Sequence, residues 1–428
     1  MGERGAGYSW YVVGVLTLTQ ALAFVDRQVL ALLVEPIKRD LHASDTVISL
    51  LYGLSFALFY VIVAIPIARL ADRANRRNIV AISLTVWSLM TALCGLARTL
   101  PQLVAARLGV GAGEAGLSPS AQSLLADYFP DHRLPAALGV FSMGVSLGGG
   151  LALLAGGALL AAAPGIAAAL GLPGLSPWRL VMVGVGLPGL LVALLFLTVR
   201  EPERGSGQRE AALGQALLAW LWANRLTYLG LIGALSLIVF VSNAASAWIP
   251  ALFERRFGWT GPEVGARYGP IVLICGAAGA LAGGLLASAL RRRGVANANL
   301  KASLGGFLLA APLAIAFPLA PNPWVALTLI GLMVFCGGIP SGGGYAALQE
   351  ATPARLRAQV TALNGLAVNL VGAGLGPLAV ALLTDRLFRD PLRLPWALSL
   401  TELLAAPLAV GAYLLAIRAS SAAKARTA

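Results

Sequence analysis

Apolar residues run in blocks of roughly twenty along most of this chain, and charged residues fall almost entirely between the blocks. A helix needs about 20 apolar residues to cross a bilayer, so each block predicts one spanning helix. The blocks lie near 10–33, 47–68, 78–97, 101–125, 135–162, 178–199, 226–250, 266–290, 302–319, 324–349, 356–384 and 395–417, which makes twelve. The least apolar connection, 200–225, opens with Arg200-Glu201-Pro202-Glu203-Arg204 and divides the blocks six and six. The expected organisation is all-helical: an N-terminal six-helix bundle over 1–199, a linker over 200–225, and a C-terminal six-helix bundle over 226–428.

The halves echo each other, as duplicated transporters do. The second block ends Arg69-Leu70-Ala71-Asp72-Arg73-Ala74-Asn75-Arg76-Arg77, and the eighth ends Leu285-Leu286-Ala287-Ser288-Ala289-Leu290-Arg291-Arg292-Arg293. Asp127-Tyr128-Phe129-Pro130 with Arg133 is likewise answered by Glu350-Ala351-Thr352-Pro353 with Arg357. Two matches in order favour a duplicated half. Ser288 stands where the first half has Asp72, so the second copy lacks that acid.

Composition confirms a multi-pass membrane protein. Residues are 58% hydrophobic and 11% charged, against about 25% charged in a soluble domain. The first block is too long for a signal peptide and has no small-residue cleavage site, so it reads as a retained helix. A net charge of +13 would suggest nucleic acid in a soluble protein, but topology accounts for it here. The N-terminus, the even-to-odd loops and the C-terminus hold nineteen of the thirty-one arginines and lysines, and the odd-to-even loops hold ten. That excess places both termini in the cytoplasm. The preference for arginine, alanine, glycine and leucine suggests a GC-rich bacterial genome, hence the bacterial inner membrane.

No cofactor motif stands up. Gly111-Ala112-Gly113-Glu114-Ala115-Gly116 spells a dinucleotide fingerprint, but it lies inside a membrane block with no strand before it. Gly109/Gly113, Gly144/Gly148, Gly279/Gly283 and Gly372/Gly376 read instead as close helix-packing positions. Cys94, Cys275 and Cys336 lie apart in apolar blocks, in no metal or disulfide pattern.

The chemistry sits in the charges that break the blocks. Asp26 and Arg27, in Phe24-Val25-Asp26-Arg27-Gln28, lie inside the first block, and Arg107 and Glu114 inside the fourth. A central charge costs about 2.5–3.5 kcal/mol on insertion scales and faces a partner or a water-filled path. At 1.5 Å per residue, Arg27 and Glu114 lie at depths of about 25 and 18 Å, within bridging reach of each other. Arg107 and Glu114, seven apart, share a helix face. Arg27 and Arg107 are candidates to bind an anion through their forked donors, and Glu114 and Asp26 to carry protons. The alternative is a permanent Arg27–Glu114 staple, with Arg107 only fixing Glu114. Asn243, Asn364, Asn369 and Tyr345 are further candidates to line a substrate path, and helix–helix hydrogen bonding explains them equally well. Beyond these the second half has no central charge; Glu402 lies nearer the periplasmic end of the last block. Its cavity wall is expected to be apolar, with Trp248, Phe240, Phe335 and Phe307. A charged half facing an apolar half suits an amphiphilic anion.

The loop from Ala68 to Arg77 resembles the G-x-L-a-D-R-x-x-R-R signature of the major facilitator superfamily, with Ala68 and Asn75 at its glycine positions. Phe24–Gln28, Glu35–Leu41, Arg69–Arg77 and Gly109–Ala115 are similar to its spinster-like group. The resemblance implies two six-helix bundles around a central cavity, working by alternating access. Animal spinster relatives move lysophospholipids or sphingosine phosphates. It also implies that the loop after the second helix latches the halves on the cytoplasmic side. Asp72, Arg73, Arg76 and Arg77 are then gating candidates, with Asp127 and Arg133 joining the cluster and Asp72 accepting from a helix N-terminus near 355–359. The expected function is proton-coupled transport of an amphiphilic or lipid-like anion by a monomer in the lipid bilayer, with neither cofactor nor nucleic acid. A broad-specificity drug or lipophile exporter is the alternative. An intramembrane aspartyl-type enzyme is more remote.

Overall fold

The computed structural model describes residues 3–71, 74–130, 133–172, 174–202, 213–353 and 356–427. Helices account for all the regular structure among them. The first membrane segment is α1 (Glu3–Leu41), and the second is α2 (Asp45–Ser49), a π-helical turn (Leu50–Leu54) and α3 (Ser55–Ala71). Next come α4 (Arg76–Leu96), α5 (Leu100–Glu114) with α6 (Leu117–Tyr128), α7 (Leu134–Ala169) and α8 (Pro177–Leu195). A short helix, α9 (Leu213–Ala223), leads into α10 (Arg225–Phe257), α11 (Gly261–Arg292) and α12 (Ala298–Ala316). The tenth segment is α13 (Pro323–Gly338) with α14 (Pro340–Ala351). The eleventh is α15 (Arg357–Ala367), a π-helical turn (Val368–Gly374), α16 (Leu375–Leu382) and a second such turn (Leu383–Phe388). The last is α17 (Leu394–Thr427).

Among the described residues, eleven helical stretches are long and apolar enough to cross a membrane. The fourth is the exception: the single helix expected over 101–125 stops at Glu114 and restarts at Leu117. Pro119 has no N–H to give the Ala115 carbonyl four residues back, and its ring crowds that carbonyl. The tenth segment breaks in the same way at Ile339, where Pro340 leaves the Cys336 carbonyl to a tighter bond from Ile339 N (3.2 Å). Gly116 and Ile339 are separated along the chain by the same 223 positions as Asp127 and Glu350, so the duplication extends to the backbone fault.

Two compact units make up the chain: residues 1–207 with 258–273, and residues 208–257 with 274–428. The opening turns of α11 belong to the first unit because they lie on α7. A Cβ on Gly157 would approach the Gly265 Cα to 3.2 Å, and one on Gly150 would meet Leu273 Cβ at 2.7 Å. Within the first unit α1 packs along α7, α4 along α8, and α5 between α3 and α4. Within the second, α10 packs along α17, and α12 against α13, α14 and α17. The paired glycines of both halves sit where a neighbouring helix leaves no room for a Cβ. Gly109 and Gly113 face α4, Gly144 and Gly148 face α1, Gly279 and Gly283 face α13 and Ile339 just after it, and Gly372 and Gly376 face α10.

Candidate functional site

Arg27 and Glu114 meet. Arg27 Nε donates to Glu114 Oε2 at 2.7 Å, and a terminal nitrogen reaches the same oxygen at 2.5 Å. Their helices do not pack side by side, so the Arg27 arm crosses the gap over α3, its guanidinium 4.4 Å from the Phe56 ring centre. Phe24 and Tyr60 flank it at 5.2 and 5.5 Å. Gly111 lets α5 come this close to α3, since a Cβ there would stand 2.8 Å from the Phe56 carbonyl oxygen. The two partners are unequally enclosed: the Glu114 side chain is 1% exposed and that of Arg27 24%. Glu114 Oε1 accepts no hydrogen bond from the described residues.

Arg107 does not fix Glu114 through an ion pair. It is fully buried, none of its three side-chain nitrogens has an acceptor among the described residues, and its guanidinium lies 5.8 Å from the centre of the Phe56 ring that Arg27 also covers. It lines a crevice of about 10 Å³ with Leu30, Ile48, Leu51 and Tyr52, which is about the size of one water. The π-helical turn Leu50–Leu54 supplies two of these walls, and such turns are frequent at functional sites. Its Tyr52 donates to Gln28 Oε1 at 3.0 Å, tying the first segment's polar stretch to the second. Asp26 is buried beside Thr91 of α4, within the electrostatic reach of Glu114, Arg107 and Arg27. Two acids and two bases thus form one cluster inside the first unit.

The second-unit candidates do not converge in this way. Asn243 and Asn369 each donate to the carbonyl four residues back, Val239 (2.9 Å) and Gly365 (2.9 Å). Helix-internal bonding therefore accounts for both. Asn364 is fully buried beside Tyr345. Two of the aromatics expected to line a cavity belong to the core: Trp248 is buried and donates to the Pro377 carbonyl, and Phe307 packs against Tyr413. The second unit does contain a buried acid. Glu402 is 1% exposed, and neither carboxylate oxygen has a donor among the described residues. Its distance from the helix start made it look peripheral in the sequence.

At one end of the first unit Arg76 is buried and bridges Asp127 (2.5 Å) and Glu201 (2.8 Å), and it also donates to Ser123. Arg77 offers its backbone N–H to Glu201 at 3.0 Å and a guanidinium nitrogen to the Val199 carbonyl. Tyr8 donates to the Thr198 carbonyl, and Tyr128 to that of Arg200. Glu201 falls within the linker expected over 200–225, although it stands next to the last turn of the sixth block. Arg133 is exposed and takes no part in these ion pairs. Asp72 and Arg73 lie outside the described residues. The second unit has a counterpart in Glu350, paired with Arg291 at 2.6 Å and accepting from Asn299 at 3.0 Å.

This plan has known relatives. Residues 16–377 match the Major Facilitator Superfamily profile. The chain belongs to that superfamily. An MFS-type efflux pump of Mycolicibacterium smegmatis is 30% identical over 91% of this chain and 87% of its own. A probable L-galactonate transporter of Escherichia coli is 24% identical over 87% and 82%. The crystal structure of a bacterial homologue of the human lysosomal transporter spinster, inward-facing and unoccupied, aligns with a TM-score of 0.77 at 30% identity, covering 97% of this chain and 96% of that one. The protein is a spinster-like transporter of the superfamily and not an enzyme.

Proposed function

We propose that this spinster-like transporter moves an organic anion with an apolar part, together with a proton. The observation that carries this reading is the unequal Arg27–Glu114 pair: a partly exposed guanidinium ringed by Phe24, Phe56 and Tyr60, held by a carboxylate sealed from solvent. Asp26, Arg27, Arg107 and Glu114 sum to zero formal charge. An anion that captures Arg27 leaves a net charge of −1 in a low-dielectric site, and that cost falls when Glu114 takes one proton. Binding and protonation then favour each other, which is the thermodynamic requirement for cotransport. Asp26 holds the second carboxylate for the same exchange, and buried Arg107 supplies the second cation.

The probable L-galactonate transporter among the relatives is named for a carboxylate, which agrees with a guanidinium at the centre. The rings around Arg27 favour a solute that also has apolar surface. On the cytoplasmic side, Arg76, Arg77 and Asp127 would brace the sixth segment's end while Asp72 and Arg73 serve the latch.

Proteoliposomes test the reading by flux of L-galactonate and of a lysophospholipid, with the pH gradient and the membrane potential set separately. Flux of a monoanion should follow the pH gradient and be indifferent to the potential. Uptake that ignores the pH gradient refutes proton coupling. A second reading, proton-driven export of lipophilic compounds, has the mycobacterial efflux pump in its favour. It predicts transport of an uncharged lipophile that survives Arg27→Ala.

A further inference from the structure

The linker expected over 200–225 ends in a helix with no charged residue. α9 has 11 residues, Leu213 to Ala223, which makes it about 16 Å long. A spanning helix needs about 20 residues, so α9 does not cross the bilayer.

One side of α9 belongs to the second unit. Leu217, Trp220 and Leu221 pack against the core that contains Tyr228, Leu348 and Tyr413. Trp220 Nε1 donates to the Tyr228 hydroxyl at 2.8 Å, and that hydroxyl reaches the Ala351 carbonyl at 3.2 Å and Thr352 Oγ1 at 3.0 Å. The helix is thereby tied to α10 and to the end of α14.

The other side is apolar and exposed. Leu218 is 69% exposed and Trp222 73%, four residues apart and so on one helix face. Exposed leucines follow at once in α10, Leu226 (53%) and Leu229 (63%), at the start of a membrane-crossing stretch. A helix apolar on every side belongs in a protein core or in lipid, and the core takes only one side of α9. In water the remaining face would form an apolar patch of the kind that marks an interaction site. Its continuation onto a membrane helix identifies the partner as lipid. Tryptophan is favoured at the height of lipid headgroups, and the Arg225 guanidinium lies 5.4 Å from the Trp222 ring centre. An arginine at the foot of a span keeps its charge in the interface while its stem covers apolar surface.

We propose that α9 lies in the bilayer interface on its own side of the membrane, with Leu218 and Trp222 inserted among the headgroups and upper acyl chains. The partner is lipid as an apolar medium, since no basic residue falls between Leu213 and Asn224. The contact is independent of which solute is carried. It leaves the linker attached at both described ends: Glu201 to Arg76, and α9 to the second unit and the bilayer.

Carbene labelling of the purified full-length protein in nanodiscs tests this. The diazirine is carried either by a phospholipid, close to its headgroup, or by a water-soluble reagent, and labelled peptides are identified by mass spectrometry. The lipid probe should label the peptide containing Leu218 and Trp222 more strongly than the aqueous probe does. Leu218→Asp with Trp222→Asp should lower that lipid labelling by about tenfold, the least that burial of one large apolar side chain supplies. Aqueous labelling of the same peptide should rise, while peptides of the other membrane segments keep their wild-type pattern, which misfolding would not allow. Aqueous labelling of wild-type α9 that equals or exceeds the lipid labelling overturns the proposal. So does labelling by neither probe, because protein would then cover the face, and so does lipid labelling that ignores the two aspartates.

Discussion

Glu114→Gln separates a transport pair from a staple. Glutamine keeps an oxygen within reach of Arg27, so a charge-assisted bond becomes a neutral one, and the four-residue cluster goes from zero to +1. Removing one partner of a fully buried pair costs about 3–5 kcal/mol. Here the retained acceptor and the 24% exposure of Arg27 reduce the loss to about 1–2 kcal/mol. The protein should therefore reach the membrane and purify with a modestly lower melting temperature, while anion uptake in proteoliposomes falls to background. The double replacement Arg27→Met with Glu114→Leu restores zero charge, and apolar substitutes for a buried pair are often neutral or stabilising by about 1–4 kcal/mol. Its melting temperature should return to the wild-type value or exceed it, with transport still absent. If instead the single variant disappears from the membrane and the double variant recovers both stability and uptake, the pair is a staple and the coupling argument fails.

Two more outcomes test the scaffold. Arg76→Gln strands Asp127 and Glu201 together and should cost about 3–5 kcal/mol, read as a large drop in melting temperature, whereas Arg133→Gln, exposed and outside the cluster, should shift it little. Gly113→Ala places a Cβ 2.8 Å from Trp87 N and 2.9 Å from Trp87 Cβ, so α4 and α5 must separate at a cost of about 1–3 kcal/mol. Gly139→Ala, which meets nothing within 4 Å, should leave stability unchanged or raise it by up to about 1 kcal/mol.

The twelve segments were legible because lipid imposes a length and a polarity on each, and Arg27–Glu114 was legible because each residue was an anomaly inside such a segment. Depth counted from the helix ends was enough to pair them. Spacing alone did not show what Arg107 meets: seven residues from Glu114, its guanidinium lies 5.8 Å from the Phe56 ring centre and has no acceptor among the described residues. The break after Glu114 was written in Pro119, yet an apolar block conceals a missing N–H. Glu201 escaped because a charged residue after the last apolar turn looks like linker, and only the path of the chain brings it to Arg76. Glu402 was visible as a letter but not as a buried one.

Asp26, Arg27, Arg107 and Glu114 belong to α1 and α5 of the same unit, so no rearrangement of one unit against the other needs to separate them. A charge pair shared between units would be broken and remade by the movement itself, and each cycle would have to expose or strand an ion in the bilayer. On the proposed mechanism, the Arg27–Glu114 bond, held within one unit, opens only to something that replaces one of its partners: an anion for Glu114, or a proton on it. The pair can then report occupancy to the rest of the cycle in the form of a charge. The duplication supplied both units with a broken segment, Ala115–Gly116 in the first and Ile339 in the second, but only the first break carries an acid beside it. On the proposed mechanism that asymmetry is the reason one unit recognises the ligand and the other can remain apolar where the solute's own apolar part requires it.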